Sequence, residues 1–381
     1  MNLHLMPIYS PFTADLVCEI NRWFPQNENT FIVRYSHPKT NGYQNCITDP
    51  KAFTVDYLNA HYEEYKTIFL HFLFLRPHQV AHLKEEAAKK IIWVVWGDDL
   101  YNLNIRNEKA KTISQFARNL LYTWSAHSAL YKFQNKKARE KIRMFKAIGI
   151  GYAYDENKVR ELYGDLPPVV YAPYFSQLGG IEAAQKMREK HLRKQTDTVN
   201  VLIGHSGFPF HNHEKSLKIL SKFKDENIHI NLVLSYGASE ERVKSVSSLA
   251  IQLFGENKTT ILTEMLPKEE YYDFLASIDI ALFPFAHQSA LGNARRLAFS
   301  GAKLYLDPNG ALAKGFSEGG VSTENYFEIE NQTWEQFCAN NAIPSTDCPL
   351  FDVFNYMKNV KAWEKLLSAD GNESDKIALD Q

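Results

Sequence analysis

Short apolar runs alternate with longer amphipathic stretches along almost the whole chain, and this alternation constrains the fold more than any other feature. The pattern is cleanest after residue 195, where helical-period stretches follow the runs VNVLIGHS, IHINLVLSYG, TTILTE, DIALFPF and AKLYLD. Continuous apolar strands separated by helical segments of about 10–15 residues are typical of a parallel sheet covered on both faces. The sequence therefore predicts an α/β fold.

The first half of the chain shows the same alternation less regularly. Strands are predicted over residues 4–9, 30–35, 67–75, 91–96, 147–154 and 169–172, with helices over 77–90 and 109–124. A further helix is predicted over residues 351–367. The pattern favours two doubly wound sheets rather than one.

The length of 381 residues fits two domains at about 150 residues each. The best boundary is residues 177–198, where two glycines precede the charged, strand-free run KMREKHLRKQTD. We predict one Rossmann-like domain over residues 1–180, a second over 195–350, and a C-terminal helix within 351–381 that crosses back to the first. Because open α/β sheets bind ligands beyond the carboxyl ends of their strands, two such edges facing a central cleft would form a two-substrate site.

Charge and cysteine usage exclude several classes of protein. Lys and Arg total 43 against 44 Asp and Glu, and this balance argues against bulk nucleic-acid binding. Cys18, Cys46, Cys338 and Cys348 form no C-x-x-C pair, so a reducing compartment is expected. No signal peptide and no apolar run of about 18 residues is present, which predicts a cytoplasmic chain that meets a membrane only from the side.

Two candidate catalytic groups follow strands of the first domain. In the segment IIWVVWGDDLYNL, Gly97 gives the backbone the freedom to turn where the strand ends. Asp98 and Asp99 then lie at the end of the strand, where a carboxylate can act as general base. The alternative is that one of them caps the following turn. His71, in the strand TIFLHFLFL, could point into the cleft as acid, base or hydroxyl-binding group, or be a satisfied core residue.

Two loops of the second domain are candidates for anion binding. A strand ends in Gly204-His205-Ser206-Gly207 before a helix that begins near Asn212, where Ser206 and helix N–H groups could bind anionic oxygen. The alternative is an ordinary β–α turn. The loop matches neither the P-loop nor the dinucleotide fingerprint, so nucleoside-triphosphate hydrolysis and nicotinamide chemistry have no support.

The second loop lies within residues 279–307, where a strand breaks at Pro284 before another helix. Gly292 and Asn293 near that helix start would present backbone donors to a diphosphate, and Gln288 could add a side-chain hydrogen bond. Since the chain has no D-x-D metal motif there, we expect no metal and no other cofactor. For Arg295 and Arg296, a solvated helix face is favoured over phosphate contact.

The segment YKFQNKKAREKIRMFKAI, residues 131–148, carries seven basic residues and one acid. Interleaved Tyr131, Phe133, Ile142 and Phe145 make it amphipathic, which suits docking to an anionic membrane surface. The membrane-facing candidates are Lys136, Lys137, Arg139 and Arg143. The alternative is a lysine-rich face in solvent.

These motifs resemble glycosyltransferase family 56. The resemblance rests on W-G-x-D-L-Y after an apolar strand, G-x-S-G opening the second half, and Q-x-x-[LI]-G-[NT] after a strand ending in F-x-F, in matching order over roughly residues 65–310. The characterised activity of that family is TDP-N-acetylfucosamine:lipid II N-acetylfucosaminyltransferase, also called 4-α-L-fucosyltransferase. The resemblance implies the GT-B type of α/β fold, in which two Rossmann-like domains face a central cleft.

The resemblance also implies roles for individual residues. Asp99, rather than Asp98, is the acidic residue of the first motif, and His71 falls on a family histidine, so both are candidate catalytic residues. The donor-binding candidates are Ser206, Gly207, His213, Tyr236, Gly237, Gln288, Leu291, Gly292 and Asn293. The nucleotide sugar would bind the C-terminal domain and a lipid-linked acceptor the N-terminal domain.

This sequence departs from the family pattern at FPFHNH, where the family loop is more polar, and at Asn293. We predict a metal-independent glycosyltransferase that moves a deoxyamino hexose, similar to N-acetylfucosamine, from a dTDP-sugar to a polyprenyl-diphosphate-linked glycan at the inner face of a bacterial plasma membrane. One alternative is a GT-B enzyme of capsule or O-antigen synthesis that uses a UDP- or GDP-sugar. Another is a non-catalytic binding protein with the same fold.

Overall fold

A computed structural model describes residues 1–7, 11–25, 28–35, 46–101, 129–173, 180–193, 197–286, 288–339 and 342–369. The chain divides into two compact units. The first unit is Met1–Gln177 together with Met357–Gln381, and the second unit is Leu178–Tyr356. Among the described residues, no helix is long and apolar enough to span a membrane.

The first unit contains a seven-stranded parallel sheet in the order β3-β2-β1-β4-β5-β6-β7. Its strands are β1 Asn2–Met6, β2 Asn29–Val33, β3 Cys46–Thr48, β4 Thr67–His71, β5 Ile91–Val94, β6 Ala147–Ile150 and β7 Val169–Tyr171. Its described helices before the second unit are α1 Pro11–Trp23, α2 Val55–His61, α3 Pro77–Val80, α4 Glu85–Ala88, α5 Asp98–Tyr101, α6 Ala129–Arg143 and α7 Ala153–Tyr163. The strand order reverses between β1 and β4, which is where such sheets open a crevice.

The second unit contains a six-stranded parallel sheet in the order β10-β9-β8-β11-β12-β13. Its strands are β8 Val199–Ile203, β9 Ile228–Val233, β10 Thr259–Leu262, β11 Ile280–Phe283, β12 Lys303–Leu306 and β13 Glu324–Asn325. Its described helices are α8 Gly180–Leu192, α9 His213–Leu220, α10 Glu240–Phe254, α11 Lys268–Ala276, α12 Leu291–Ser300, α13 Ala311–Glu318 and α14 Trp334–Cys338. Its strand order reverses between β8 and β11.

The α/β class predicted from the sequence is confirmed, because both units are parallel sheets covered by helices. The central strands β1, β4, β5 and β6 are buried along their whole length, which is why their sequences are continuous apolar runs instead of alternating ones. The strands end earlier than predicted, however. β4, for example, ends at His71, so residues 72–75 lie beyond the sheet.

The helix predicted over residues 77–90 is instead two short helices, α3 and α4. The side chain of Asn59 explains the break: its Nδ2 donates to the carbonyl of His82 at 2.9 Å, and its Oδ1 accepts from the amide of Lys84 at 2.8 Å. Lys84 is extended, with φ −62° and ψ 149°. The helix predicted over residues 109–124 lies outside the described part of the chain.

Helix α8 lies within the segment chosen as the domain boundary, and it packs on the second unit. Arg188 Nη1 donates to the carbonyl of Phe299 at 2.8 Å, and Nδ1 of His191 lies 3.1 Å from the carbonyl of Ala276. The change of unit therefore falls before α8, between Gln177 and Leu178.

The last helix, α15 Tyr356–Ser368, follows the second unit in the chain but packs on the first. Trp363 is fully buried, and its Nε1 donates to the carbonyl of Pro173 at 2.8 Å. The side chain of Leu366 lies against Gly149 of β6, where a Cβ would come within 2.9 Å of it.

Candidate functional site

The strongest candidate site lies at the carboxyl edge of the second sheet, where its strand order reverses. β8 and β11 pair directly, with Val201 opposite Ile280 and Ile203 opposite Leu282. The loops that follow them therefore leave the sheet side by side. We call residues 204–212 the β8 loop and residues 284–290 the β11 loop. Their juxtaposition at the switch point is the usual ligand position in an open α/β sheet.

Hydrogen bonds hold the β8 loop in a compact conformation. The amide of Gly204 (φ +68°) donates to Leu282 across the sheet at 3.0 Å, and the amide of Gly207 donates to Tyr236 at 2.7 Å. Ser206 is fully buried, with its Oγ 2.8 Å from Nε2 of His211. A Cβ on Gly207 would fall 2.3 Å from the Cβ of Ala238, so only glycine fits there.

Arg242, at the start of α10, ties this loop to two helices. Its Nε donates to the carbonyl of Gly207 at 2.8 Å, while its two terminal nitrogens donate to the carboxylate of Glu214 at 2.8 and 3.1 Å. A bidentate arginine–carboxylate pair is geometrically specific. The sequence did not indicate this role of Arg242, because a lone arginine in a helical first turn carries no pattern that points 35 residues back along the chain.

His213 opens helix α9 and is fully buried. Among the described residues, neither of its ring nitrogens has a hydrogen-bond partner. Burial lowers its pKa to about 4, and the positive charge of Arg242 acts in the same direction. The imidazole is therefore neutral at pH 7. A Cβ at Gly204 would lie 2.9 Å from Nε2 of His213, so that glycine makes room for the ring.

Aromatic side chains surround the two predicted residues Tyr236 and Gly237. Phe208 stacks on Phe210 at 5.5 Å, and its ring meets that of Tyr236 edge-on at 6.1 Å. Gly237 has φ +78°, and a Cβ there would lie 2.6 Å from the ring of Phe208. Phe208 and Tyr236 are 41% and 43% exposed. The departure FPFHNH is thus part of an aromatic surface at this edge, which the sequence analysis did not assign.

Helix α12 begins directly after the β11 loop, and Ala290 before it adopts a left-handed conformation with φ 58°. Leu291 is buried, while Gln288, Gly292 and Asn293 are half-buried. The first N–H groups of a helix have no acceptor within it, which makes this end suitable for an anion. The side chain of Asn293 is already engaged, since its Nδ2 donates to the Tyr271 hydroxyl at 2.8 Å.

The expectation that Arg295 and Arg296 lie on a solvated helix face is wrong, because they are only 2% and 1% exposed. Arg296 is covered by an aromatic side chain of α11: its guanidinium lies 3.9 Å above the ring of Tyr272, and Nη2 donates to that hydroxyl at 3.0 Å. The charge pattern around Arg296 could not show that a tyrosine of a neighbouring helix covers it.

At the carboxyl edge of the first sheet, Asp99 is only 7% exposed and binds the backbone around it. Its Oδ2 accepts from the Leu73 amide at 2.8 Å and from Trp93 Nε1 at 2.7 Å, and its Oδ1 accepts from the Trp96 amide at 3.1 Å. Burial raises its pKa to about 6, against the opposing effect of these hydrogen bonds. The carboxylate therefore binds groups that precede it in the chain, not the turn that follows it as in the capping alternative, and its role as general base remains a prediction.

His71 belongs to a buried hydrogen-bonded chain. Asn29 Nδ2 donates to the carbonyl of Phe24, so its Oδ1 is an acceptor, and His4 Nε2 donates to it at 3.2 Å. His4 Nδ1 then accepts from His71 Nε2 at 3.0 Å. Burial lowers the pKa of His4 to about 3 and that of His71 well below its usual value, so both are neutral. The core interpretation of His71 fits these contacts.

Asp99 and His71 are not brought together. His71 lies on the sheet face of its partner Val94, whereas Leu70 and its partner Trp93 lie on the opposite face, since alternate residues of a strand point to opposite sides. The Asp99 carboxylate binds the indole of Trp93, and His71 stacks against Trp363 at 6.2 Å. The sheet itself separates the two candidate catalytic groups.

Most of the basic segment lies in helix α6, which ends at Arg143, and the exposed residues of that helix include Lys136, Lys137, Arg139 and Arg143. Its apolar residues do not face solvent, because Ile142 and Phe145 are buried in the core of the first unit. Lys146 is also buried, and its Nζ donates to Thr67 Oγ1 at 3.1 Å. The expectation that Ile142 and Phe145 belong to a membrane-docking surface is wrong. The side chains of Tyr131 and Phe133 lie outside the described part.

Within the described ranges, no group of three or more His, Cys, Asp or Glu side chains is placed to hold a metal ion.

Comparison with known proteins identifies the kind of molecule that carries this site. The model of the family described as 4-alpha-L-fucosyltransferase, glycosyl transferase group 56, matches residues 174–335, which include the β8 and β11 loops. The predicted resemblance is confirmed over these residues.

Solved structures with the same fold cover almost the whole chain. WaaG, a glycosyltransferase involved in lipopolysaccharide biosynthesis, is 12% identical with a TM-score of 0.55, covering 95% of each chain. HepE from Anabaena, in complex with UDP and glucose, is 14% identical with a TM-score of 0.56, covering 96% of this chain and 99% of its own. OtsA is 8% identical with a TM-score of 0.53, covering 96% and 98%. The fold is of the GT-B type, and with the family match the chain is a glycosyltransferase.

Proposed function

We propose that this glycosyltransferase transfers a deoxyamino hexose, similar to N-acetylfucosamine, from a dTDP-sugar to a polyprenyl-diphosphate-linked glycan in bacterial surface polysaccharide synthesis. The observation that carries the proposal is the pairing of strands β8 and β11, which brings their loops side by side at the switch point of the second sheet, within the residues matched by the family model. The finer choice of sugar and acceptor rests on the family resemblance.

The leaving diphosphate would bind at the start of α12, where the N–H groups of residues 291–293 and the helix dipole favour negative charge. Ser206 and neutral His213 at the start of α9 lie at the neighbouring loop. Donors held in place before the reaction stabilise charge that develops as the sugar–phosphate bond breaks. On this proposal no metal is required.

The acceptor would bind at the carboxyl edge of the first sheet. From the sequence, Asp99 and His71 are the candidates to deprotonate or orient the acceptor hydroxyl. The exposed basic residues of α6 would hold the first unit at an anionic membrane surface by charge alone, at the inner face of the plasma membrane.

A second donor class is supported by one comparison, since HepE is in complex with UDP and glucose. A UDP- or GDP-sugar in capsule or O-antigen synthesis is therefore the alternative. Calorimetric titration of the protein with dTDP, UDP and GDP, each with magnesium and with EDTA, separates these cases. We expect dTDP to bind tightest and EDTA to leave its affinity unchanged. A preference for UDP or GDP would favour the alternative, and failure of all three to bind would favour a non-catalytic protein.

Two serine variants test whether the nucleotide binds at Ser206. Ser206→Ala should weaken dTDP binding about tenfold or more, because hydrogen bonds to a charged group contribute roughly 1.5–3 kcal/mol. Ser221→Ala is the control, since its exposed hydroxyl only donates to the carbonyl of Lys218. Equal affinity in both variants would remove Ser206 from the diphosphate site.

A further inference from the structure

The turn that follows β4 is strained. Phe72 has φ 85°, a left-handed conformation that a bulky aromatic residue rarely adopts. It lies directly after His71, beside the point where the strand order of the first sheet reverses. Such strain persists only where the surrounding structure enforces it, and it concentrates at functional sites. We call residues 72–74 the strained turn.

Three hydrogen bonds hold the strained turn. The Phe72 amide donates to Val94 at 3.0 Å and the Phe74 amide donates to Phe72 at 2.9 Å, both to backbone carbonyls. The Leu73 amide, between them, donates to Asp99 Oδ2 at 2.8 Å. Asp99 is therefore the one side chain among these acceptors, and it comes from helix α5 after the neighbouring strand, 26 residues away.

The Asp99 carboxylate is itself fixed from the opposite side. Trp93 Nε1 donates to the same Oδ2 at 2.7 Å, and the Trp96 amide donates to Oδ1 at 3.1 Å. The indole of Trp93 is fully buried. A carboxylate with both oxygens occupied by backbone and indole donors is poorly placed to take a proton from a substrate, but it is well placed to define the position of a loop.

The strained turn presents its own side chains at the edge of the sheet. Phe72, Leu73 and Phe74 are half-buried, and Arg76 just beyond them is exposed. Open α/β sheets bind their ligands at this edge and at this switch point. We propose that Asp99 is a positioning residue, which holds the strained turn in the shape that the acceptor substrate contacts, and that it does not deprotonate the acceptor.

The inference rests on the proposed function for the identity of the substrate. Whether Asp99 holds the strained turn can be tested without a substrate. Deuterium exchange of backbone amides, followed by mass spectrometry, reports on residues 72–75 in wild type, Asp99→Asn and Trp93→Phe. In Asp99→Asn an amide NH₂ replaces one of the two acceptor oxygens, and in Trp93→Phe the carboxylate loses its indole donor. Both variants should speed exchange in this peptide at least about tenfold. Unchanged exchange in Asp99→Asn would overturn the proposal.

Trp363→Phe is the matched control for Trp93→Phe. Both tryptophans are fully buried in the first unit and donate an Nε1 hydrogen bond, but Trp363, in α15, stacks against His71 on the opposite face of the sheet and donates to Pro173. We expect the control to leave exchange at residues 72–75 unchanged. If Asp99→Asn does not fold, as judged by circular dichroism, the comparison of Trp93→Phe with Trp363→Phe still tests whether the Asp99 carboxylate holds the strained turn.

Kinetics separate positioning from base catalysis. As a positioning residue, Asp99 should affect the acceptor KM, so Asp99→Asn and Trp93→Phe should both raise it about tenfold with the affinity for dTDP unchanged. As a general base, Asp99 should affect kcat alone: Asp99→Asn would lose about 100-fold or more and remove the acidic limb of the pH–rate profile. Trp93→Phe would then keep the acceptor KM and move that limb to higher pH, because the indole hydrogen bond lowers the pKa of Asp99. That second pattern would overturn the proposal. Absence of transfer in wild type with every donor would instead contradict the proposed function, leaving the exchange result to stand alone.

Discussion

The two sheets of this protein reverse their strand order in the same way, yet their carboxyl edges are built differently. At the first switch point the polar side chains His4, His71 and Asp99 are buried and bound to protein groups. At the second, Gly204 and Gly207 bring backbone close to the site, two helices begin at the edge, and His213 is buried without a hydrogen-bond partner among the described residues. The first edge is already satisfied internally, while the second has hydrogen-bonding capacity left for a ligand.

That difference matches the two substrates of the proposed reaction. A nucleotide diphosphate is a compact anion, and backbone N–H groups at helix starts suit it without a charged side chain. An acceptor glycan on a lipid offers hydroxyls and apolar groups, and a shaped turn with half-buried Phe72, Leu73 and Phe74 suits those. The same strand order thus supports one edge that suits a charged diphosphate and another that suits the shape of an acceptor glycan.

The largest effect should come from Trp363→Ala, which tests whether the first unit depends on the end of the chain. Removing a fully buried tryptophan from a core costs about 3–5 kcal/mol. Chemical denaturation should show this loss in the first unit, with dTDP binding by the second unit retained below the transition. Loss of nucleotide binding with a normal first transition would contradict the assignment of this helix to the first unit.

The next effect concerns the close approach in the second unit. Gly207→Ala should destabilise by about 1–3 kcal/mol and weaken dTDP binding, because its Cβ would overlap that of Ala238. The double variant Gly207→Ala with Ala238→Gly removes the overlap, so it should recover much of the nucleotide affinity in calorimetry. No recovery would show that the loop needs a glycine at 207 for a reason other than this contact.

The buried titratable groups of the first unit should make its stability depend on pH. His4 and His71 have lowered pKa values, so the unfolded chain takes up their protons first as the pH falls below about 6.5. Acidification to pH 5.5 should therefore lower the free energy of unfolding by about 1.4 kcal/mol per histidine. Asp99 acts oppositely: its raised pKa favours the native state at low pH, an effect lost as pH rises through about 6.

Urea denaturation of wild type and of the double variant His4→Phe with His71→Phe, at pH 7 and pH 5.5, measures the two contributions. We expect the wild type to lose stability on acidification, and the variant, which keeps the Asp99 contribution but lacks those of His4 and His71, to lose less. Equal pH dependence in both proteins would show that the histidine pair is not the sensor.

The smallest effect on stability should come from changing Lys136, Lys137, Arg139 and Arg143 of α6 to glutamine. These side chains are exposed, so the free energy of unfolding should change by no more than about 0.5 kcal/mol per site. Binding to vesicles of anionic lipid should nevertheless fall, by about 1 kcal/mol per charge near the surface. Since Ile142 and Phe145 are buried, wild-type binding should also disappear in high salt. Binding that survives salt would indicate an apolar contact elsewhere.

The sequence predicted the α/β class, the positions of most strands and the two loops of the second unit, because these depend on local patterns. It did not predict the strained turn at Phe72, the Arg242–Glu214 pair or the burial of Asp99, each of which depends on contacts between residues distant in the chain. The amphipathic segment around Ile142 was detected correctly, but periodicity cannot show whether an apolar face meets protein or lipid.

The placement of α15 has a consequence for how the protein is made. The first unit contains the residues synthesised first, but one face of its sheet is covered by Trp363 and Leu366 of α15, which leave the ribosome only after the whole second unit. Domains that are continuous in sequence can fold one after another during synthesis. Here the second unit can complete its folding first, while the apolar face around His71 and Gly149 in the first unit is still uncovered. A nascent chain stalled before residue 357 would expose that face to chaperones.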